Sequence, residues 1–154
     1  MNLLGVILLG AFSGLIGAFA MNLFMRAVAN KLGKRGDMVR ALGSFFSRDK
    51  ESAANIGTAI HCAAGVSFGI VYLTIIYLIN FLSFPQAIFL GLGFGFFHGM
   101  VTSFILMFYA SERHPDESFR KATIEEGALH LFGHMLYGIV VGLIGGLVAQ
   151  GFAG

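Results

Sequence analysis

Glu126, His130 and His134 recur at every fourth position of EEGALHLFGHMLYG, residues 125 to 138. At about 100° per residue the three side chains spread over an arc of about 80°, and Tyr137 falls inside it. Two more histidines, His61 and His98, sit in other apolar stretches, while the fifth, His114, lies in a charged loop. Imidazole is the commonest metal ligand among side chains and titrates near neutral pH, so such a ladder suits either metal coordination or proton relay. A bis-histidine haem b needs two imidazoles from different helices at similar depth, and His61 with His134 fits that requirement. A non-haem centre for iron, copper or zinc would draw on His61, His98, His130, His134 and Glu126 as a mixed nitrogen and oxygen set. Electron transfer or redox chemistry would be the use of either. The paired Glu-x-x-His motif of di-iron carboxylate bundles is missing.

Elements able to position these residues must lie within a membrane. Of 154 residues, 56% are hydrophobic and 12% charged, and the mean hydropathy is +0.81; a soluble domain carries about 25% charged residues. Four apolar stretches reach the length of about 20 residues that a bilayer span requires: 3–29, 53–79, 85–110 and 123–149. The chain is therefore expected to be all-α, a single antiparallel four-helix bundle with no separate soluble domain. Only residues 80–84 separate the second and third spans, which predicts a tight turn between neighbouring helices.

All ten basic residues cluster around the other two connections. Arg26, Lys31, Lys34, Arg35, Arg40, Arg48 and Lys50 surround the first, and Arg113, Arg120 and Lys121 lie in the second. The positive-inside rule then places both connections in the cytoplasm and both termini on the opposite side. An Ala-Phe-Ala sequence at 18–20 has the form of a signal-peptidase site, but no basic segment precedes the first span, which reads as uncleaved.

Counted at about 1.5 Å per residue from the loop ends of the helices, Asn22, His61, His98, His130 and His134 lie about 9–18 Å deep, in one layer. His61 shares a face with Gly57 and Gly65. His98 shares one with Thr102 and Tyr109, with Glu112 near it at the mouth. Ionisable groups at membrane depth are costly and usually face a bundle interior, so the four imidazoles are expected to converge. Two readings compete with a cofactor site. In one, Glu112, Asp116, Glu125 and Glu126 form the mouth of a proton or small-solute pathway, although the far half offers little to continue it. In the other, the histidines bond helices together in a structural or accessory subunit.

The remaining signals concern packing and surroundings. Glycines form stripes at 10, 14 and 17, at 57, 65 and 69, at 91, 95 and 99, and at 138, 142, 145 and 146. Small residues at such spacing allow close helix approach, within the chain or against membrane partners or a second copy. In the first connection Met38, Val39, Leu42, Phe45 and Phe46 have helical spacing, which predicts a short interfacial helix within 36–52. The single Cys62 excludes an intrachain disulfide. Gly91-Leu-Gly-Phe-Gly carries no phosphate-binding lysine, and the basic loops serve topology rather than nucleic acid. The segments MNLFM, DMVRALGSFF, HCAAGVSFG, FHG and HLFGHMLYG together resemble small four-span proteins of the bacterial inner membrane. That resemblance implies the architecture and the placing of the four histidines, and no activity.

Overall fold

Glycine and small residues, read as packing surfaces, become the seams along which the helices meet. The computed structural model describes residues 1–31, 38–121 and 123–151. Among these, α1 (Leu3–Lys31) is followed by the short α2 (Met38–Ser44), then α3 (Lys50–Leu78) and α4 (Gln86–Met100). A π-helical segment, Val101–Leu106, joins α4 to α5 (Met107–Glu112); a 3-10 turn, Glu117–Phe119, precedes α6 (Ile124–Gly151). Four helical stretches are long and apolar enough to cross a membrane: α1, α3, Gln86–Glu112 and α6. The protein is thus an all-α, multi-pass membrane protein. Lys34, Arg35 and Asp37 of the first connection lie outside the described residues.

In the α1–α3 seam, a Cβ on Gly10 would run into the backbone of Gly69 and Ile70, and one on Gly14 into Gly65 and Gly69. In the α4–α6 seam, Gly91 and Gly138 meet carbonyl to Cα, as do Gly95 with the His134 carbonyl and Gly142 with Ala87. These stripes are covered by the chain's own helices. This is the packing within the chain that their spacing allows. Apolar surface facing outward comes instead from large side chains such as Leu8, Phe12, Leu23, Phe89 and Phe97, all exposed, as lipid contact requires.

α1 packs on α3 and α6, and α4 on α6, whereas α3 and α4 touch only sparsely despite the short turn between them. Side-chain bulk explains the separation. Phe68 and Tyr72 of α3 face Phe94 and His98 of the third span, with ring centroids 3.9 Å apart for Phe68–His98 and 5.2 Å for Tyr72–Phe94. The turn itself is a helix stop of the Schellman type: Asn80 has φ 60°, its N–H donates to Tyr77 O and that of Phe81 to Ile76 O.

Helix α2 forms where periodicity predicts a helix but stops at Ser44, leaving Phe45 and Phe46 exposed in the following turn. Its contact is with α3: Val39 O lies over Gly57 and Ala53 O over Gly43, closer than any Cβ permits. Asp49 then caps α3 by accepting from Ser52 N–H at 2.8 Å, and that bond holds its carboxyl below the usual range. A depressed carboxyl stabilises the fold above its unfolded pKa and loses that contribution as pH falls through the folded value. Protection of the first turn of α3 against hydrogen exchange, relative to the intrinsic rate at each pH, is therefore expected to fall on acidification. An Asp49→Asn variant should show no such pH dependence; a wild-type exchange pattern flat down to strongly acid pH would exclude the cap as its source.

Candidate functional site

A cavity of about 680 Å³ runs from the loop end of the bundle towards its middle. His61 of α3, His98 of α4, and His130 and His134 of α6 all line it, together with Asn22 of α1 and Glu126. The convergence expected of the four imidazoles is therefore present. The rings of His98 and His130 stand edge-on to that of His134, with centroids 4.8 Å and 5.1 Å away.

His134 is 8% exposed and both its nitrogens have partners. Nδ1 donates to His130 O at 2.9 Å, one turn back, which leaves Nε2 as an acceptor facing Thr102 Oγ1 at 3.1 Å. His98 Nδ1 lies 3.0 Å from the Tyr72 hydroxyl. Tyr137, inside the ladder's arc, donates to Gly65 O at 2.6 Å and ties α6 to α3. By contrast, His61 Nε2 and His130 Nδ1 are closed to solvent and have no hydrogen-bond partner.

The π segment positions part of this network. Met107 N–H reaches back five residues to Thr102 O, and Thr102 Oγ1 stands between His98 O at 2.9 Å and His134 Nε2 at 3.1 Å, so its single proton serves one of the two acceptors at a time. One extra residue per turn also advances every later side chain by about 100° relative to an unbroken α-helix. Tyr109, expected on the His98 face, consequently points outward: it is 59% exposed, with Arg113 stacked 4.1 Å from its ring centroid. Glu112 pairs with Arg113 at the surface and does not approach the histidines.

Glu126 has a different task from the one its spacing suggested. Thr123 N–H donates to its carboxylate at 2.9 Å while Glu126 N–H donates to Thr123 Oγ1 at 3.3 Å, a reciprocal capping box that opens α6. One carboxylate oxygen is thereby held at the helix end, while Glu126 also lines the cavity. Among the described residues no group of three or more His, Cys, Asp or Glu is disposed to hold a metal ion. Thr123→Ala should cost about 1 kcal/mol of stability through this cap, measured by unfolding in mixed micelles, and leave anything bound in the cavity in place. A loss of binding without loss of stability would show that the Thr123–Glu126 pair serves the site more than the helix end.

His114, the loop histidine, is the residue that spacing did not reveal. It is 3% exposed: its Nδ1 accepts from Asp116 N–H at 3.1 Å and its Nε2 donates to Ala41 O at 2.9 Å on α2. Phe45 and Phe119 stand edge-on to its ring, and Arg120 Nε donates to its carbonyl at 2.8 Å. It thereby joins the second charged connection to the first across the loop end of the cavity. Asp116, expected at a pathway mouth, accepts from Ser118 N–H, and the Ser118 bonds hold its carboxyl below the usual range. No signal short of a structure would have marked His114, whose partners are a backbone carbonyl 73 residues away and its own turn.

The cavity has a second edge. Ala64 and Phe68 on α3 and Leu106 on the third span line it and are also exposed, so it reaches the outside between these two spans. The chain matches no protein-family model, no curated protein and no solved structure.

Proposed function

We propose that this is an antiparallel four-span protein of the bacterial inner membrane, with its charged connections in the cytoplasm and both termini on the other side. On this reading its cavity binds a membrane-soluble organic molecule with a polar, hydrogen-bonding head. One observation carries it: a cavity of about 680 Å³, within the 300–1,000 Å³ range of small-molecule sites, is walled by apolar side chains and ends on imidazoles. His98, held by Tyr72, and Thr102, held by the π segment, supply the fixed polar groups that orient a head. The gap between α3 and the third span opens sideways, the approach available to a molecule dissolved in lipid.

Haem b or a transition metal held by the same histidines, serving electron transfer, is the second reading. It is favoured by the partnerless nitrogens of His61 and His130. Ligation of haem through His134 would require Nε2 to exchange Thr102 for iron, so His61 is the better-placed of its two ligands.

Protein purified in mild detergent without a metal-affinity tag would be extracted with organic solvent and the extract identified by mass spectrometry, with an absorption spectrum taken beforehand. A lipophilic compound near one per chain, reduced in His98→Leu, is the expected result. Bulk phospholipid alone, unchanged in that variant, would sink the first reading; a Soret band would establish haem.

A further inference from the structure

Tyr72 is 4% exposed, and the partner of its hydroxyl is His98 Nδ1, 3.0 Å away. Two arrangements share that distance. If Nδ1 carried the imidazole proton, the phenol would accept it and its own O–H would meet nothing, and buried donors without acceptors are rare in folded proteins. If the phenol donates, both groups are served. The second arrangement keeps Nδ1 bare, so a neutral His98 carries its proton on Nε2.

That proton faces open space. His98 lines the cavity, and its Nε2 has no partner among the described residues and is not closed to solvent. Packing holds the ring in place: Phe68 lies against one face, 3.9 Å between centroids, and the ring of His134 stands edge-on at 4.8 Å. Phe68 is itself 39% exposed and lines the cavity at the gap between α3 and the third span. The donor therefore stands beside the sideways opening.

The neighbouring polar groups have their protons engaged. Tyr137 donates to Gly65 O at 2.6 Å, His134 Nδ1 to His130 O at 2.9 Å, and the one proton of Thr102 serves either His98 O or His134 Nε2. Asn22 can donate or accept and so selects neither. A fixed donor among apolar walls matches a head that accepts a hydrogen bond, whereas a head that only donates would set its proton against another. Lys121, at the loop end, is the one lysine or arginine in the lining, which favours an uncharged acceptor over an anion.

We infer that His98 Nε2–H binds the carbonyl oxygen of a long-tailed, lipid-soluble ketone or quinone, with Tyr72 as the positioning residue that fixes the imidazole proton. This rests on the reading of the cavity as a site for an organic molecule and adds the class of its head. The tail would leave through the gap, along Ala64 and Leu106.

The probe is a fully substituted decyl benzoquinone, which cannot add to the Cys62 thiol, and the control is decylbenzene, the same tail without oxygen. Quenching of tyrosine fluorescence in detergent-purified protein gives the quinone's affinity, and decylbenzene is added as competitor; infrared difference spectra report the quinone carbonyls. Expected is one carbonyl stretch moved to lower frequency on binding. In His98→Leu the stretch should stay unmoved and the affinity fall at least about tenfold, since a buried bond is lost. His98→Gln, whose amide donates from a similar reach, should restore the shift. In Tyr72→Phe the proton divides between the two nitrogens, and apparent affinity falls with the competent fraction, about twofold. Nitrogen NMR of labelled histidine, assigned by the signal lost in His98→Gln, should show the proton on Nε2 in the wild type and divided in Tyr72→Phe, with no ligand present. Circular dichroism and gel filtration establish that each variant is folded. A wild-type proton on Nδ1, a bound quinone with unmoved carbonyls, or decylbenzene competing as strongly as the quinone binds would overturn the inference. A solvent extract holding a lipophilic compound without a carbonyl would overturn it and leave the organic-ligand reading standing. Bulk phospholipid alone, with no quenching by the quinone, would remove both.

Discussion

Gly138→Val is expected to prevent stable assembly of the bundle, at a cost of about 3 kcal/mol or more, the upper end of what overpacking a tight interface produces. The new Cβ would run into Gly91 O and come within 3.1 Å of Gly95 N, both backbone atoms that cannot swing aside. Relief requires the α4 and α6 axes to separate along the most extensive helix contact in the molecule. Because Gly95 also packs on the His134 carbonyl, separation would displace the histidine layer as well. Gly93→Ala on α4 is the control: its Cβ meets nothing within 4 Å, and a change inside about 0.5 kcal/mol is expected. Unfolding in mixed micelles gives the comparison. Equal stability of the two variants would show that the seam is not packed as described.

Much of this architecture could be read from the sequence because the bilayer imposes it. Apolar runs of spanning length place the helices, and glycines three or four apart mark the faces that meet. The layer of His61, His98, His130 and His134 followed from depth counting, since 1.5 Å per residue holds wherever a helix is regular. Where regularity ends, so does that legibility. The π segment at Val101–Leu106 turned Tyr109 outward, and nothing in VTSFIL announces a change of register.

Glu126 teaches a different lesson. The motif Thr-x-x-Glu before an apolar run is a readable helix start, yet the i, i+4 relation to His130 drew the carboxylate into a ligand set. At a helix end, orphaned backbone N–H groups also claim such a carboxylate, and here one of its oxygens meets that claim. The contact between the second and third spans has a form that spacing did not reveal. A short connection brings helix ends together, but the rings of Phe68, Tyr72, Phe94 and His98 hold α3 and α4 apart. The same separation gives the cavity its sideways opening, so the feature least visible in the sequence is the one on which entry of a ligand depends.

His114→Ala is expected to loosen the loop end of the cavity and destabilise the protein by about 1–3 kcal/mol, the cost of leaving buried hydrogen-bonding groups unmatched. The substitution strips Ala41 O of its donor and Asp116 N–H of its acceptor, and removes the ring between Phe45 and Phe119. Since α2 also rests on α3 through Gly43 and Gly57, it should stay helical while its outer face, including Ala41 and Leu42, loses its hold on the second connection. Hydrogen exchange should therefore accelerate in 38–44 and 114–121 together, with α4 and the inner part of α6 unchanged. His114→Gln separates the two contributions: its amide can donate to Ala41 O but cannot stack, so intermediate protection is expected. Acceleration confined to one connection would mean that His114 serves only its own turn. Coupled acceleration would make it the clasp through which the charged loop end governs access to the histidines below.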